Sequence, residues 1–539
     1  MGDSREYDYI VIGSGFGGSV SALRLAEKGY KVAVLEMGRR WTPQNLPRSN
    51  WNLKSWLWLP FLRFRGFFSM RFFRHVVVLH GNAVGGGSIT YANTLLVPPV
   101  SIWNRGSWAG LNDWQQVMPA HFKTVQKMLG VTTNKFLGPA DLRLKQMADA
   151  LGVGESFYPT EVGVFFGKEN DPPGTIYEDP YFDGEGPQRK TCIGCGGCMV
   201  GCRHGAKNTL DLNYLYLAQK KGVEIFAETK VTQVKPLTGA LDGSMGYEVT
   251  SSQGVQFKTR GVIFAASSLG TQELLLRLKE DGSLPRLSNT LGTQVRTNAE
   301  SLIGVRYPGT KDDYSTGVAI GSGVYIDEHT HIEATRYPAG SNALSLITTV
   351  MTAGNPGISR IIHWFITLFK MLLLHPWRTL RTLIPYRWSQ EVIIFLCMQT
   401  VDGTLTMKLK RPWYWPFMKK LTTHGPRIPT FIPAANNFAV KAAELTGGTP
   451  ATSLTEIFLN IPMTAHCLGG APMAATPDQG VVDGKQCVFG YKNMMICDGS
   501  VVSGNLGVNP SLTIAALAEH AMSFVSQATE SHSETVLKS

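Results

Sequence analysis

A glycine-rich turn near the N-terminus, lying between two apolar segments, constrains the fold of this chain more than any other feature. Apolar residues at 9–12 predict a strand, residues 20–28 have helical periodicity, and residues 31–36 predict a second strand. The turn between the first strand and the helix has the sequence GSGFGG. This order predicts a βαβ unit that holds the pyrophosphate of a dinucleotide at a helix N-terminus.

Three glycines and one carboxylate have separate predicted roles in this unit. Gly13 permits the tight turn, Gly15 leaves space for the pyrophosphate, and Gly18 lets the helix pack against the strand. Glu36, eighteen residues after Gly18, is placed to accept hydrogen bonds from the adenosine ribose. The motif alone fits FAD and NAD equally well.

A second glycine cluster favours FAD. Gly85, Gly86 and Gly87 follow a strand predicted at residues 75–79. A long cofactor, whose flavin ring lies far from its adenine, requires a second close approach of the backbone. We therefore expect Gly86 and Gly87 to contact FAD.

Composition and charge limit the remaining possibilities. The chain has 539 residues, of which 43% are hydrophobic and 17% charged, which suits two intergrown globular domains. Its net charge of +11 is interleaved with aromatic side chains, which favours an anionic membrane surface over nucleic acid. The N-terminus lacks the pattern of a cleaved signal peptide. Four of the eight cysteines are clustered and four are scattered among apolar residues, and a reducing compartment suits both groups. We therefore expect a cytoplasmic protein, with contact to the inner face of the membrane.

Three segments mix bulky aromatic residues with Arg and Lys. They are residues 51–73, 361–387 and 411–421. Charges and prolines interrupt each segment, so none offers the roughly 20 apolar residues that a transmembrane helix needs. Such segments are typical of helices that lie in a membrane interface, but a large apolar pocket uses the same residues. Both interpretations stay open.

Several sequence blocks resemble the glucose-methanol-choline (GMC) oxidoreductases, and most closely the cholesterol oxidase branch. They are GSGFGGSVSALRLAEKGYKVAVLE, GNAVGGGSITYAN, VIFAASSLGTQELLLR, AHCLGG and CDGSVVSGNLGVNPSLTIAALAE. The resemblance spans nearly the full chain. It implies an α/β fold, in which an FAD-binding Rossmann-like domain of the GMC and p-hydroxybenzoate hydroxylase type is intergrown with a substrate-binding domain containing a mainly antiparallel sheet.

The same resemblance divides the chain. It assigns residues 1–48, 75–100, 203–305 and 462–530 to the FAD-binding domain, residues 101–191 and 306–461 to the substrate-binding domain, and residues 192–202 to a cysteine-rich loop. The expected reaction is FAD-dependent oxidation of a 3-hydroxysterol or similar lipid alcohol to the ketone, with Δ5 to Δ4 isomerisation as a further step.

The resemblance also carries site residues. His466 would orient the substrate hydroxyl and assist removal of its proton, while Asn509 would hold that hydroxyl, and Asp498 would bond the ribityl or pyrophosphate region of FAD. Glu333, in a stretch ending in PAG, would move a proton between two steroid ring carbons. From the residues alone, a surface carboxylate paired with Arg336 is the favoured interpretation. Two positions depart from the pattern. Tyr91 stands where an Asn is usual, and Ser267 replaces a Gly.

Four cysteines form a dense cluster, at positions Cys192, Cys195, Cys198 and Cys202. Their spacing matches the way in which bacterial ferredoxins hold an iron–sulfur cluster, and structural zinc is the main alternative. Iron–sulfur would indicate a dehydrogenase that passes electrons to a quinone or cytochrome rather than to oxygen.

Two other functions stay open at this stage. One is a dehydrogenase of another large hydrophobic alcohol that passes electrons through an iron–sulfur cluster. The other is a noncatalytic lipid-binding membrane protein that retains FAD as a structural element.

Overall fold

The computed structural model describes residues 5–352, 354–412, 417–428 and 430–529. Most of the segment at 411–421 falls within them, but residues 413–416 lie outside the described residues. Two sheets, each of seven strands, organise these residues, and the candidate site lies between them.

The first sheet is built on the predicted βαβ unit. Arg5–Ile12 is its central strand and pairs in parallel with Val32–Leu35 on one side and Gln256–Phe264 on the other. In spatial order the strands are Glu224–Phe226, Val32–Leu35, Arg5–Ile12, Gln256–Phe264, Tyr247–Ser251 and Val231–Pro236, with Met494–Ile496 alongside Gln256–Phe264. Val32–Leu35 and the C-terminal ends of Arg5–Ile12 and Gln256–Phe264 are buried and mainly apolar, as in a parallel sheet covered on both faces.

Helices cover this sheet by packing their apolar faces on it. The first, Phe16–Glu27, begins directly after Gly15 rather than at Val20, since the glycine turn itself supplies its first residues. The others are Trp114–Met128, Tyr214–Lys220, Ser267–Glu280 and Ser511–Ser523. The predicted Rossmann-like domain is confirmed.

The second sheet is antiparallel throughout. Its order is Thr348–Val350, Thr449–Ser453, Ser301–Arg306, Val392–Gln399, Thr330–Thr335, Ile320–Tyr325 and Tyr158–Pro159. Helices Pro139–Ala150 and Pro433–Thr446 cover one face through a shared apolar cluster. The other face is turned toward the nucleotide-binding half. The predicted domain boundary at residue 305 falls inside strand Ser301–Arg306, which belongs wholly to this sheet.

Smaller elements connect the two halves. The strands Phe68–Phe72, Val77–Gly81 and Met463–Thr464 form one sheet, and Val295–Arg296, Thr404–Lys410 and Lys420–His424 form another. The described residues also contain three two-stranded pairs: Trp58–Leu59 with Phe64–Arg65, Thr132–Thr133 with Glu161–Val162, and Ile176–Tyr177 with Arg189–Lys190. Their other α-helices are Leu53–Trp56, Ile358–Leu374, Pro376–Leu383 and Trp388–Glu391.

The three aromatic and basic segments differ in burial. Between residues 51 and 73, Trp56 and Phe67 are buried, whereas Phe61 and Phe72 are exposed. The helix Ile358–Leu374 leaves most of its large apolar side chains exposed. Within the part of the chain that the structure describes, no helix is long and apolar enough to cross a membrane.

Candidate active site

The glycine turn is held together by close backbone contacts. A Cβ on Gly18 would lie 2.1 Å from the carbonyl oxygen of Gly13, and one on Gly17 would lie 1.6 Å from that of Cys497. A Cβ on Gly15, by contrast, would meet nothing within 4 Å. The space over Gly15, at the N-terminus of helix Phe16–Glu27, is therefore open to a ligand, as the sequence predicted.

Glu36 closes the turn from the other side. Its carboxylate accepts hydrogen bonds from the backbone N–H of Ser14 at 3.0 Å, from the Ser14 hydroxyl at 2.7 Å and from the N–H of Gly38 at 2.8 Å. Burial raises the pKa of Glu36, and these hydrogen bonds oppose the shift. The Glu36 carboxylate therefore holds the glycine turn in place. That it also accepts hydrogen bonds from the ribose hydroxyls stays a prediction.

The second glycine cluster packs directly on the first. Gly86 has φ +52°, and a Cβ there would lie 2.6 Å from the Cα of Gly15. Gly87 borders the same cavity as Gly15. Two loops that are distant in sequence therefore form one cradle of backbone.

Asp498 lies at the edge of this cradle. Its carboxylate accepts from the backbone N–H of Ser500 at 2.8 Å and from the hydroxyl of Thr271 at 2.5 Å. Burial raises the pKa of Asp498, and the Ser500 and Thr271 hydrogen bonds oppose the shift. The Asp498 carboxylate shapes the turn after Met494–Ile496. Asp498 also borders the cavity, and its contact with FAD stays a prediction.

The cavity suits an elongated cofactor together with an apolar substrate. It measures about 310 Å³ and extends from Gly15 and Gly87 to His466 and Asn509. The open backbone over Gly15, at a helix N-terminus, is what the pyrophosphate of a bound dinucleotide would occupy. The residues present therefore fit FAD.

His466 is held by residues that the sequence did not single out. Its Nδ1 forms a short hydrogen bond and ion pair with Oε1 of Glu300, and the Nδ2 of Asn298 lies 3.3 Å from the same nitrogen. Burial lowers the pKa of His466, but the charge and hydrogen bond of Glu300 outweigh burial, so that this pKa is raised. Because Nδ1 is occupied, Nε2 is the ring nitrogen that stays available to a substrate hydroxyl.

Glu300 and Asn298 were missed because a short polar stretch, TNAES, looks like an ordinary loop. The signal in the sequence that could have indicated their role is that TNAES leads directly into the buried strand Ser301–Arg306. Ala299, between the two residues, has φ +48°, which turns both side chains to the same region.

Asn509 and Glu333 form the second polar pair. The Nδ2 of Asn509 donates to Oε2 of Glu333 at 3.2 Å. Glu333 is fully buried, and burial raises its pKa to about 7, against the Asn509 hydrogen bond. The predicted alternative, a surface carboxylate paired with Arg336, is wrong, because Arg336 pairs with the buried Asp141 at 2.5 Å. The structure thus brings His466, Asn509 and Glu333 together.

Much of the remaining cavity wall is apolar. It includes Phe68, Met70, Leu79, Leu302, Ile394 and Leu396. Phe68 and Met70 come from the segment at 51–73, so part of that segment lines the pocket rather than facing outward.

The two departures from the family pattern have structural consequences. The Tyr91 hydroxyl donates to the carbonyl of Asn208 at 2.8 Å, and its ring packs edge-on against Phe16 beside the cavity. Ser267 has φ +67°, a left-handed conformation that favours glycine. The replaced glycine therefore leaves a strained residue at the start of helix Ser267–Glu280.

The cysteine cluster does not fit a metal. Cys192, Cys195, Cys198 and Cys202 line a small cavity of about 20 Å³. Among the described residues, no group of three or more His, Cys, Asp or Glu could hold a metal ion. Burial raises the pKa of Cys198 to about 11 and favours its neutral thiol, which packs with Val162 and Val164. The predicted iron–sulfur or zinc site is therefore not supported.

Lys207 ties this loop to the cofactor cradle. Its buried Nζ donates to the carbonyls of Cys198 at 2.7 Å, Ile89 at 2.9 Å and Tyr91 at 3.1 Å. Burial lowers the pKa of Lys207 to about 8. The role of Lys207 could not be predicted from the sequence, since a lysine in a GAKN turn is typically solvated.

Comparison with known proteins identifies the class. Residues 427–518 match a family model described as GMC oxidoreductase, and residues 11–42 match an NAD(P)-binding Rossmann-like domain. A cholesterol oxidase of Acinetobacter baumannii is 55% identical, over 97% of this chain and 95% of that protein. A cholesterol oxidase of Mycobacterium tuberculosis is 41% identical, over 96% of this chain and 91% of that protein.

A solved structure shows the same fold. Pyridoxine 4-oxidase from Mesorbium loti has a TM-score of 0.59 at 15% identity, covering 96% of this chain and 98% of that one. Fold and site define an FAD-dependent oxidoreductase that acts on CH–OH groups. The chain belongs to the GMC oxidoreductase family, and the resemblance found in its sequence is confirmed.

Proposed function

We propose that this protein oxidises the 3-hydroxyl of a sterol to the ketone and moves the Δ5 double bond to Δ4. The proposal rests on two buried polar pairs, His466 with Glu300 and Asn509 with Glu333. His466 and Asn509 lie at one end of a largely apolar cavity. The names of the two relatives, both cholesterol oxidases, agree with it.

Each polar group has a distinct task in this proposal. Bound FAD supplies the hydride acceptor. His466 accepts the hydroxyl proton at Nε2, because Glu300 holds Nδ1 and raises the basicity of the ring. Asn509 orients the hydroxyl, because its buried Oδ1 has no hydrogen-bond partner among the described residues and can accept from it.

Glu333 serves the second step. A carboxylate with a pKa of about 7 takes a proton from ring carbon C4 and returns it to C6. Its Oε1 is buried without a hydrogen-bond partner among the described residues, so it is available for that proton.

A panel of alcohols tests the reaction. Purified enzyme is incubated with a Δ5-3β-hydroxysterol, a long-chain primary alcohol and a sterol lacking the 3-hydroxyl, and the products are identified by mass spectrometry and absorbance. We expect the conjugated enone from the first alone. Equal turnover of the long-chain alcohol would favour the alternative of another lipid alcohol, and no turnover would favour a noncatalytic flavoprotein.

We also propose oxygen as the electron acceptor, rather than a quinone or cytochrome. The relatives' names, which are those of oxidases, support it. Stoichiometric oxygen consumption and peroxide formation during sterol oxidation are expected. Turnover that requires an added quinone would contradict it.

The exposed helix supports a further proposal, that the enzyme docks on an anionic membrane. Phe365, Phe369 and Leu373 on helix Ile358–Leu374 are 58%, 64% and 66% exposed, and Trp377 is 84% exposed. Residues 355–390 contain no acidic side chain and five basic ones. Arg360 and Arg381 pair with Glu456 and Glu391, so the positive charge beside the helix comes from Lys370, Arg378 and Arg387. Apolar side chains bordered by positive charge are suited to an interface with anionic lipid.

The helix stands beside the cavity. Trp364 donates from Nε1 to the hydroxyl of Thr349 at 3.0 Å, and Arg360 pairs with the buried Glu456 at 2.6 Å. Its neighbours Ile347 and Thr348 line the cavity wall. Docking through this helix would place the cavity near its lipid substrate. The expected cytoplasmic location, on the inner face of the membrane, stays part of this proposal.

Vesicle sedimentation tests docking. Triple replacement of Phe365, Phe369 and Leu373 by Ser should abolish binding to vesicles containing phosphatidylglycerol, while leaving the Trp364 and Arg360 anchors intact. A matched control replaces Leu241 and Met245, each 66% exposed in a loop of the nucleotide-binding half, by Ser. Loss of binding in the control alone, or retention in the triple variant, would overturn the proposal.

A further inference from the structure

The strand that carries Glu333 has two chemically different faces. On Thr330–Thr335, Ile332 and Ala334 pack into the apolar cluster beneath the sheet. His331, Glu333 and Thr335 alternate with them and therefore share the other face. Thr335 lines the cavity, so this face is the one turned toward the site.

A glycine leaves room for a hydrogen bond beside Glu333. Gly323 is directly opposite Glu333 on one neighbouring strand and opposite Tyr158 on its other side. A Cβ on Gly323 would lie 2.7 Å from Nε2 of His331 and 2.8 Å from the hydroxyl of Tyr158. Because that position is a glycine, the hydroxyl and the imidazole nitrogen meet at 2.6 Å.

The same group of rings reaches the surface. His331 stacks on Tyr325 with ring centroids 4.6 Å apart, and Tyr158 stacks on Tyr325 at 6.0 Å. Tyr325 is 39% exposed, whereas His331 is only 2% exposed. A continuous polar and aromatic column thus extends from the interior of the sheet to solvent.

Two buried polar atoms belong to the strand face that this column shares with the site. Nδ1 of His331 and Oε1 of Glu333 are both buried without a hydrogen-bond partner among the described residues. They belong to side chains two residues apart on one strand, a separation of about 6.6 Å along the backbone. Burial lowers the pKa of His331 to about 3, so its ring stays neutral and can donate through one nitrogen while it accepts through the other.

We propose that Glu333 exchanges its proton with solvent through His331, Tyr158 and Tyr325, behind the substrate cavity rather than through it. A proton leaving Oε1 of Glu333 passes through one bridging water to Nδ1 of His331, as Nε2 releases one to the Tyr158 oxygen and that hydroxyl releases one toward Tyr325 and solvent. Each relay group gives up one proton for each that it receives. The net change is one proton lost by Glu333 and gained by solvent, and the reverse restores it.

This inference rests on the proposed isomerisation. Glu333 is fully buried behind Asn509, which lines the cavity, so a sterol that fills the cavity would close that side to water. His331 and Tyr158 act through Glu333 and do not contact the substrate. Their route lets the carboxyl return to its charged form while the cavity is occupied.

Deuterium content of the product tests the relay. Turnover of a Δ5-3β-hydroxysterol in D2O should place deuterium at C6 whenever Glu333 exchanges before it returns the proton. Tyr158→Phe keeps the ring stack but removes the hydroxyl, so we expect deuterium at C6 to fall at least threefold with an unchanged oxidation rate. Tyr177→Phe, which removes a hydrogen-bonded hydroxyl from a separate hairpin, is the control. Equal deuterium in wild type and Tyr158→Phe, or none in wild type, overturns the relay.

A second readout does not depend on isomerisation. The protonated Glu333 carboxyl gives an infrared band that is assigned by its absence from Glu333→Gln. This band is followed after the ketone-bound enzyme is transferred into D2O. Its shift should be at least threefold slower in Tyr158→Phe than in wild type. Equal rates in the two proteins overturn the relay. If the wild type forms no enone but the band still shifts more slowly in Tyr158→Phe, only the proposed isomerisation is contradicted.

Discussion

Asn509 and Glu333 are joined by a hydrogen bond of 3.2 Å, from the amide of a residue that precedes helix Ser511–Ser523 to a carboxylate on the antiparallel sheet. The bond links the two halves of the molecule across the cavity. It also joins the group proposed to orient the hydroxyl to the group proposed to move the double bond. A single substrate pose can therefore present both reacting positions to the protein.

Glu333→Gln should separate the two reactions. The amide keeps the shape of the side chain but cannot carry a proton, so oxidation should continue and the unconjugated Δ5-ketone should accumulate. In wild type, the isomerisation rate should rise with pH through about 7, because the shuttle begins from the carboxylate. Absorbance of the conjugated enone, measured from pH 5 to 9, checks both expectations. An enone formed by Glu333→Gln at the wild-type rate would remove Glu333 from the mechanism.

Glu300→Gln should weaken His466 as a proton acceptor. The pKa of His466 is raised by the charge of Glu300, so the amide should lower it. Stopped-flow reduction of the flavin should become at least tenfold slower at its plateau, and its rise with pH should shift to lower pH. His466→Ala should lose more rate, at least a hundredfold, and show no titrating limb. An unaltered pH profile in Glu300→Gln would contradict this assignment.

Two neighbouring glycines should respond in opposite ways to alanine. Gly15→Ala places its Cβ in open space, so stability without cofactor should be unchanged while FAD affinity falls at least tenfold. Gly17→Ala places a Cβ 1.6 Å from the carbonyl oxygen of Cys497, so it should unfold the protein at lower temperature. Thermal melts of apoprotein and titration with FAD measure both effects. Full FAD affinity in Gly15→Ala would mean that the pyrophosphate lies elsewhere.

Ser267→Gly should stabilise the protein. Ser267 is in the left-handed region, which costs a non-glycine residue about 1–2 kcal/mol, while added flexibility of the unfolded chain offsets part of the gain. We expect a net gain of about 0.5–1 kcal/mol in the free energy of unfolding. Urea denaturation of wild type and variant gives this value. A loss of stability would show that the Ser267 side chain makes a contact that outweighs the strain.

The sequence predicted those features that depend on local pattern. The βαβ unit follows from periodicity and from glycines whose positions leave few alternatives, and resemblance supplied His466, Asn509 and Glu333. Glu300 and Asn298 could not be predicted, because their roles depend on a fold that brings residues 298–300 beside His466. His331 and Tyr158 are likewise 173 residues apart and meet only through strand pairing across Gly323.

The cysteine spacing shows the opposite case. A motif matched in sequence, but the side chains do not assemble into a group that could hold a metal among the described residues. Spacing fixes which residues lie near one another, whereas ligation depends on where their sulfur atoms point. Burial against apolar neighbours, which spacing does not reveal, favours neutral thiols in this loop.

Anaerobic reduction of the bound flavin by a sterol tests the central claim most directly. Enzyme carrying FAD is mixed without oxygen with a Δ5-3β-hydroxysterol, and the flavin absorbance is followed. We expect full bleaching by the hydroxysterol, at least a hundredfold slower in His466→Ala with FAD still bound, and no bleaching by a sterol without the hydroxyl. A flavin that stays oxidised in the presence of the hydroxysterol would contradict it.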